Sequence, residues 1–200
     1  MHDCVGVLLA GGAARRFGGA PKGLASVAGG RIADHALSAL RGATTSQIVV
    51  ANDPRAAEWF PGARIVADEQ RGLGPLGGIV SALAAARTGV VVLAWDMPFV
   101  PAELLRELVR RGTTGDRAVV PSHGAPAQRE PLCAFYPSRA LAAGRDLLAR
   151  AERRAGALAD AVPMTELLRD DDLSAFGDPA VMFTSVDTPE QLAAVGGALP

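Results

Sequence analysis

The sequence predicts a three-layer α/β/α protein, in which helices cover both faces of a mostly parallel β-sheet. First, short apolar runs without helical periodicity alternate with amphipathic helical segments along the chain. Second, glycine-rich or acidic segments follow several of these runs, and a parallel sheet binds its ligand at the carboxyl ends of its strands. Third, 200 residues with 49% hydrophobic side chains fit one packed domain. We therefore expect residues 1–200 to form a single domain.

The predicted strands are short apolar runs, and a strand buried on both faces shows no alternation of polar and apolar residues. The most continuous run is 89–95, which predicts a central strand. The predicted strands are residues 4–10, 47–51, 64–67, 89–95, 118–120 and 132–136. A polar loop at 122–129 joins the last two of them.

The predicted helices combine an apolar stripe with a proline near the first turn. The stripe is clearest in the segment 32–40, and Pro54, Pro75 and Pro101 each lie near a predicted helix start. The predicted helices are residues 32–40, 56–60, 76–87, 101–111 and 140–155. Asp170–Asp172 is predicted to be a solvated turn, and Pro189 to begin a helix that Asp187 or Thr188 can cap.

The charge balance excludes several classes of protein. Twenty basic and 21 acidic residues give a formal net charge of −1, which argues against a broad face for nucleic acid or membrane. The longest apolar stretch, 90–95, is far shorter than the ~20 residues that cross a bilayer. Cys4 and Cys133 are too few for a disulfide framework. We expect a cytoplasmic protein with buried thiols.

A glycine-rich, basic loop at 11–23 follows the first predicted strand. Its glycines allow backbone N–H groups to face a polyphosphate, whose charge Arg16 and Lys22 can neutralise. The loop lacks the Gly-Lys-Ser/Thr ending of a Walker A motif, so a mobile loop whose glycines only form turns is the alternative. Lys22 is the only lysine among 20 basic residues, which favours a place where a compact ammonium is needed.

Carboxylates follow two of the predicted strands. Asp96 comes directly after the central strand and is an oxygen ligand suited to Mg²⁺. It could instead cap the next helix, but Pro101 places that cap later in the chain. Asp68 opens a second loop, in which Gly74 and Gly78 would let a flat ligand approach the backbone, although this segment also suits a simple helix entry.

Asp187 is a candidate second ligand of the metal, or only a helix cap.

Taken in order, these motifs resemble the nucleotidyltransferases of the molybdenum cofactor guanylyltransferase type, which have a Rossmann-like fold. The resemblance spans nearly the whole chain. The segments that carry it are Leu9-Ala10-Gly11-Gly12 with Arg16 and Lys22, Gly74-Pro75-Leu76-Gly77-Gly78, Asp96-Met97-Pro98, Pro131-Leu132 and Thr188-Pro189-Glu190. It implies that Lys22 and the first loop bind the phosphates of GTP, with backbone N–H groups from Ala10 to Ala13 completing the phosphate cradle, and that Asp96 holds Mg²⁺. It also implies that Asn52, the only asparagine, and Asp68 contact the nucleotide.

The activity implied by the resemblance is transfer of GMP from GTP to the terminal phosphate of molybdopterin, with or without bound molybdenum. The chain departs from the family pattern at Ala14, Phe17, Pro21, Ser185 and Asp187, which bears most on the acceptor contacts. The loop 122–129 is expected near the acceptor. The alternatives are a cytidylyltransferase, a transferase acting on a sugar or alcohol phosphate, and a non-catalytic GTP-binding protein. Proteins that deliver the pterin or accept the product are possible partners, and we expect a monomer or weak oligomer.

Overall fold

The computed structural model describes residues 4–11, 21–27 and 29–186. Ten strands occur in this part of the chain, eight of them in one sheet. The strands are β1 (Cys4–Leu9), β2 (Ser26–Val27), β3 (Gly30–Arg31), β4 (Ser46–Val50), β5 (Arg64–Val66), β6 (Gly89–Ala94), β7 (Val119–His123), β8 (Gln128–Arg129), β9 (Cys133–Tyr136) and β10 (Glu166–Leu168). The main sheet has the order β10-β7-β9-β6-β1-β4-β5, with β8 paired to β7, while β2 and β3 form a separate hairpin.

Helices cover both faces of this sheet. They are α1 (Ile32–Ala43), α2 (Ala56–Trp59), α3 (Gly74–Ala86), α4 (Ala102–Gly115), α5 (Ala140–Ala149), α6 (Gly156–Ala161), α7 (Asp170–Leu173) and α8 (Pro179–Met182). The helices α1 and α4 pack together on one face, and α3, α5 and α6 pack on the other. The three-layer α/β/α prediction is confirmed.

The sheet is mostly parallel, as predicted, but β9 runs against both of its neighbours. An apolar run such as 132–136 carries no information on its direction, because a strand buried on both faces looks the same either way. The first strand, β1, lies between β4 and β6 and is parallel to both. The side chains of Cys4 and Cys133 are both buried, as predicted.

Three local predictions were wrong. The predicted loop at 122–129 is instead a hairpin, because β7 continues to His123 and pairs with β8. The helix predicted over 140–155 ends at Ala149, and the chain turns through Ala151, whose φ is 62°. This turn brings the carbonyl of Arg153 to the start of α3, where it accepts a hydrogen bond from the Leu76 amide at 3.3 Å. The predicted turn at Asp170–Asp172 is instead the beginning of α7, and Asp172 pairs with Arg111 at 2.9 Å.

None of the helices that the structure describes is both long enough and apolar enough to span a bilayer.

Candidate active site

Strand register aligns four predicted site residues along one edge of the sheet. Leu9 lies opposite both Val50 and Ala94, and Val50 lies opposite Val66, so β1, β4, β5 and β6 end at the same level. The second residue after each of these strands is, respectively, Gly11, Asn52, Asp68 and Asp96. The carboxyl edge of the sheet therefore brings together groups that lie up to 85 positions apart in the chain.

These residues line one cavity of about 400 Å³. Leu9, Gly11, Lys22, Asn52, Asp68, Gly74, Gly78 and Asp96 were all predicted from the sequence, and all of them line it. A pocket of this size falls within the usual range for a small-molecule site. The structure thus places most of the predicted nucleotide-binding residues around a single space.

At one end of the cavity, Asn52 and Asp68 hold each other in place through two hydrogen bonds. The Asn52 side-chain amide donates to Asp68 Oδ2 at 2.7 Å, and the Asp68 backbone N–H donates to Asn52 Oδ1 at 2.9 Å. The other carboxylate oxygen, Asp68 Oδ1, is buried, accepts no hydrogen bond from the part of the chain that the structure describes, and lies beside Gly78. A buried polar atom without a partner costs free energy, so a donor group of a bound ligand would relieve that cost.

The other end of the cavity carries an ion pair between Lys22 and Asp96. The two side chains are only 17% and 13% exposed, so solvent screens the pair less than it screens a surface pair. A cation and a carboxylate thus face the cavity at the end of the central strand. The sequence predicted both residues, but it did not predict that they touch.

Aromatic packing holds Lys22 in place. Lys22 begins a single turn of 3₁₀ helix, Lys22–Leu24, within the segment that the sequence predicted to be irregular. A Cβ added to Gly23 would lie only 2.3 Å from the ring of Trp95, so the backbone runs directly against that ring. Trp95 is itself buried and stacks on Trp59, with ring centroids 6.4 Å apart. The position of Lys22 therefore depends on a rigid aromatic surface.

The helix α3 begins at the wall of the cavity. Gly74 has a φ of 67°, a left-handed conformation that favours glycine, and Pro75 follows in the first turn as predicted. A Cβ at Gly74 would lie 3.0 Å from the Arg153 carbonyl oxygen. Two reasons thus require glycine here: the backbone conformation and the close approach of the segment after α5.

Ala10 does not fit its predicted part in a phosphate cradle. Its backbone N–H donates to the Val50 carbonyl at 2.9 Å, and its side chain is buried. Because that donor continues the ladder between β1 and β4, it is not available to a phosphate. This part of the prediction was wrong.

Three predicted residues, Gly12, Arg16 and Asp187, lie outside the described residues. The residue before Asp187 is described: the Val186 amide donates to the Asp96 carbonyl at 3.0 Å.

The sequence missed several residues of the cavity wall. Trp95 was assigned only to a strand, although it precedes Asp96 directly, and Leu132, named only within a motif and not as a site residue, lies directly before the antiparallel strand β9. Gly72 and the end of β4, Val50 and Ala51, also line the cavity. The run of glycines after Asp68 is the one sequence feature that could have indicated Gly72.

A cation, a carboxylate and a glycine-lined cavity at the carboxyl edge of a three-layer α/β sheet define a nucleotide-binding protein. The family model of the MobA-like NTP transferase domain matches residues 6–165. A probable molybdenum cofactor guanylyltransferase of Chloroflexus aggregans is 39% identical over 152 residues, which cover 74% of this chain and 73% of the relative. A molybdenum cofactor guanylyltransferase of Pseudomonas putida is 34% identical over 155 residues, or 76% and 80% of the two chains.

A solved structure agrees with these relatives. The crystal structure of molybdopterin-guanine dinucleotide biosynthesis protein A from Archaeoglobus fulgidus is 25% identical and matches with a TM-score of 0.82 over 97% of both chains. The chain belongs to the MobA-like NTP transferase family and is a nucleotidyltransferase.

Proposed function

We propose that this protein transfers GMP from GTP to the terminal phosphate of molybdopterin, which releases pyrophosphate and forms the guanine dinucleotide form of the cofactor. Two relatives named molybdenum cofactor guanylyltransferase support this substrate pair. The observation that carries the proposal is the single cavity in which Lys22 and Asp96 face the Asn52–Asp68 pair. A nucleotide fits there with its phosphates at the cationic end and its nucleoside towards α3.

Each end of the cavity has its own part in the reaction. Lys22, together with Arg16, binds the β- and γ-phosphates and neutralises the charge that develops on the leaving pyrophosphate. Gly11 lines the cavity and lets the backbone approach the phosphates, a role we also propose for Gly12, which lies outside the described residues. Gly74 and Gly78 leave room for the nucleoside, and Leu9 lies beside Gly78 in the same wall. Asp68 Oδ1 accepts a hydrogen bond from the nucleoside, and Asn52 fixes the orientation of that carboxylate.

The donor set fits Mg²⁺. Among the described residues, no group of three or more His, Cys, Asp or Glu side chains could enclose a metal, and Asp96 is the carboxylate at the phosphate end. Mg²⁺ is commonly held by one or two carboxylates together with substrate phosphates. We propose Asp96 and Asp187 as its protein ligands, since Val186 binds the backbone of Asp96. When bound, the ion would withdraw charge from the phosphate oxygens.

The protein needs no general base, because the acceptor phosphate is already ionised near neutral pH. Catalysis then depends on alignment of the acceptor oxygen with the α-phosphorus and on charge neutralisation. We expect residues 1–200 to act as one domain, as a monomer or weak oligomer. We also expect them to work in the cytoplasm, without nucleic acid or membrane, and in contact with any proteins that deliver the pterin or receive the product.

The direct test measures pyrophosphate release with Mg²⁺ and molybdopterin, with GTP, CTP, ATP and UTP in separate reactions. The expected result is release with GTP alone and a product heavier than the acceptor by one guanylyl group, which is GMP less one water. Release only with another nucleotide would refute the guanine assignment. No release with any nucleotide, while GTP still binds, would refute the transferase assignment for this acceptor.

Two variants test the residues. Asp96→Ala should abolish turnover without a change in the circular dichroism spectrum, and near-normal activity would refute its role as the metal ligand. Lys22→Ala should weaken GTP binding by about 10- to 100-fold, because charged hydrogen bonds contribute about 1.5–3 kcal/mol each. Gly156→Ala is a suitable control, because a Cβ there meets no atom within 4 Å.

A further inference from the structure

A second polar cluster lies at the same edge of the sheet, outside the nucleotide cavity. Glu130 Oε1 lies 3.0 Å from His123 Nε2 and accepts a hydrogen bond from the Gln128 amide at 3.1 Å. The His123 ring stacks on Phe183, with centroids 4.9 Å apart. The tip of the β7–β8 hairpin thus holds one oxygen of a carboxylate in a fixed position.

Strand register places this cluster close to Asp96. Phe135 lies opposite both Val119 and Val91, so β7 is in step with β6, and His123 lies level with Trp95. Two strand spacings separate β7 from β6, which is roughly 10 Å. The segment from Phe183 to Val186 supports this estimate independently. Phe183 stacks on His123, and the Val186 amide binds the Asp96 carbonyl. The three residues from Phe183 to Val186 span at most ~11 Å, so His123 and Asp96 cannot lie far apart.

The carboxylate is unusually buried for a charged group. The Glu130 side chain is only 8% exposed, and burial raises its pKa, although the bonds from His123 and Gln128 oppose that shift. Its second oxygen, Oε2, accepts no hydrogen bond from the described residues and keeps some contact with solvent. A buried carboxylate costs folding free energy at neutral pH, and a donor group of a ligand at Oε2 would offset part of that cost.

We propose that Glu130 binds the pterin ring of the acceptor. This inference rests on the proposed function, which supplies molybdopterin as the second substrate. A pterin carries two adjacent donors, the ring N3–H and the 2-amino group, and Oε2 has lone pairs free to accept from them while Oε1 stays bound to His123 and Gln128. With its pterin at Glu130, the acceptor would extend over roughly 10 Å towards Asp96, where its phosphate meets the nucleotide. His123 and Gln128 are positioning residues for the carboxylate.

The test uses Glu130→Gln, because the glutamine carbonyl can still accept from His123 and Gln128 while an amide replaces Oε2. The expected result is a 10- to 100-fold rise in the KM for molybdopterin, with the KM for GTP within twofold of the wild type. The melting temperature should not fall, because the substitution removes a buried charge. Glu130→Asp, which keeps the charge but shortens the side chain, should give an intermediate KM.

The matched control is Asp170→Asn. Asp170 accepts from the Gly124 amide of the same hairpin at 3.2 Å but contributes no group to the cluster. We expect it to leave both KM values unchanged. An equal rise in the molybdopterin KM for Asp170→Asn and Glu130→Gln, or no rise for Glu130→Gln, would overturn the inference. If the wild-type protein itself forms no product with molybdopterin, the proposed function fails instead, so the two failures are distinguishable.

Discussion

The substitution Gly23→Ala tests whether the aromatic surface beneath the lysine loop controls catalysis. An added Cβ would lie 2.3 Å from Trp95 Cε3, whereas carbon atoms in contact are about 3.5–4 Å apart. The ring cannot move away easily, because Trp95 is 3% exposed and packs against Trp59. The loop must therefore shift by about 1 Å or more, and Lys22 shifts with it relative to Asp96.

A shift of this size should lower activity strongly while the protein remains folded. Misplacement of a catalytic group by about 1 Å can cost on the order of 100-fold in rate, whereas an added methyl in a packed interior typically costs about 1–3 kcal/mol of stability. We expect kcat/KM for GTP to fall by about 100-fold, measured by pyrophosphate release, while thermal unfolding stays cooperative. Gly156→Ala, which adds the same methyl in open space, should leave both quantities unchanged.

A double-mutant cycle shows whether the ring causes the effect. Trp95→Leu removes the atoms that the new methyl would meet, so Gly23→Ala should cost much less activity in that background. If the losses of activity from Gly23→Ala and Trp95→Leu simply add in the double variant, the contact with the Trp95 ring is not the cause. Normal kinetics for Gly23→Ala alone would refute the same explanation.

Two other expectations concern charge. Asn52→Asp should weaken GTP binding, measured by calorimetry, about 10- to 100-fold, because it replaces the amide that donates to Asp68 with a second carboxylate. Unchanged affinity for GTP would argue against a joint role of Asn52 and Asp68 in binding the nucleoside. Glu107→Gln should lower the free energy of unfolding at pH 6 by at most about 1 kcal/mol, since hydrogen bonds from Arg110 and Arg111 hold the pKa of Glu107 at about 2. The unfolded chain takes up this proton first, so the difference should shrink as the pH falls from 4.5 towards 2 in chemical denaturation, and a constant difference would contradict the assignment.

The sequence predicted the site best where strands are parallel and end in step. Asp68 and Asp96 each follow an apolar run, and the rule that ligands bind at the carboxyl edge of a parallel sheet was enough to group them and to suggest Asp96 as a ligand of Mg²⁺. The assignment of Asn52, and the contact of Asn52 and Asp68 with the nucleotide, came from the family resemblance.

Other features depend on contacts between distant segments. No local pattern distinguishes the direction of β9, which brings Leu132 to the cavity. The end of α5 at Ala149 depends on the bond between the Arg153 carbonyl and the Leu76 amide, two residues 77 positions apart. The contact of Gly23 with Trp95 joins residues 72 positions apart. Local propensity carries no information on such pairs.

The ligand edge is built from two parts of the chain, because the reversed direction of β9 brings Leu132 back to it. The residues that line the nucleotide cavity all lie at or before Asp96 except Leu132, whereas the β7–β8 hairpin comes from after α4. With the acceptor bound at the hairpin as proposed, mutations in either part would change one substrate preference and leave the other intact. A chimera joined within α4 would then combine the nucleotide preference of one parent with the acceptor preference of the other, so recombination at one place would give new pairings of donor and acceptor.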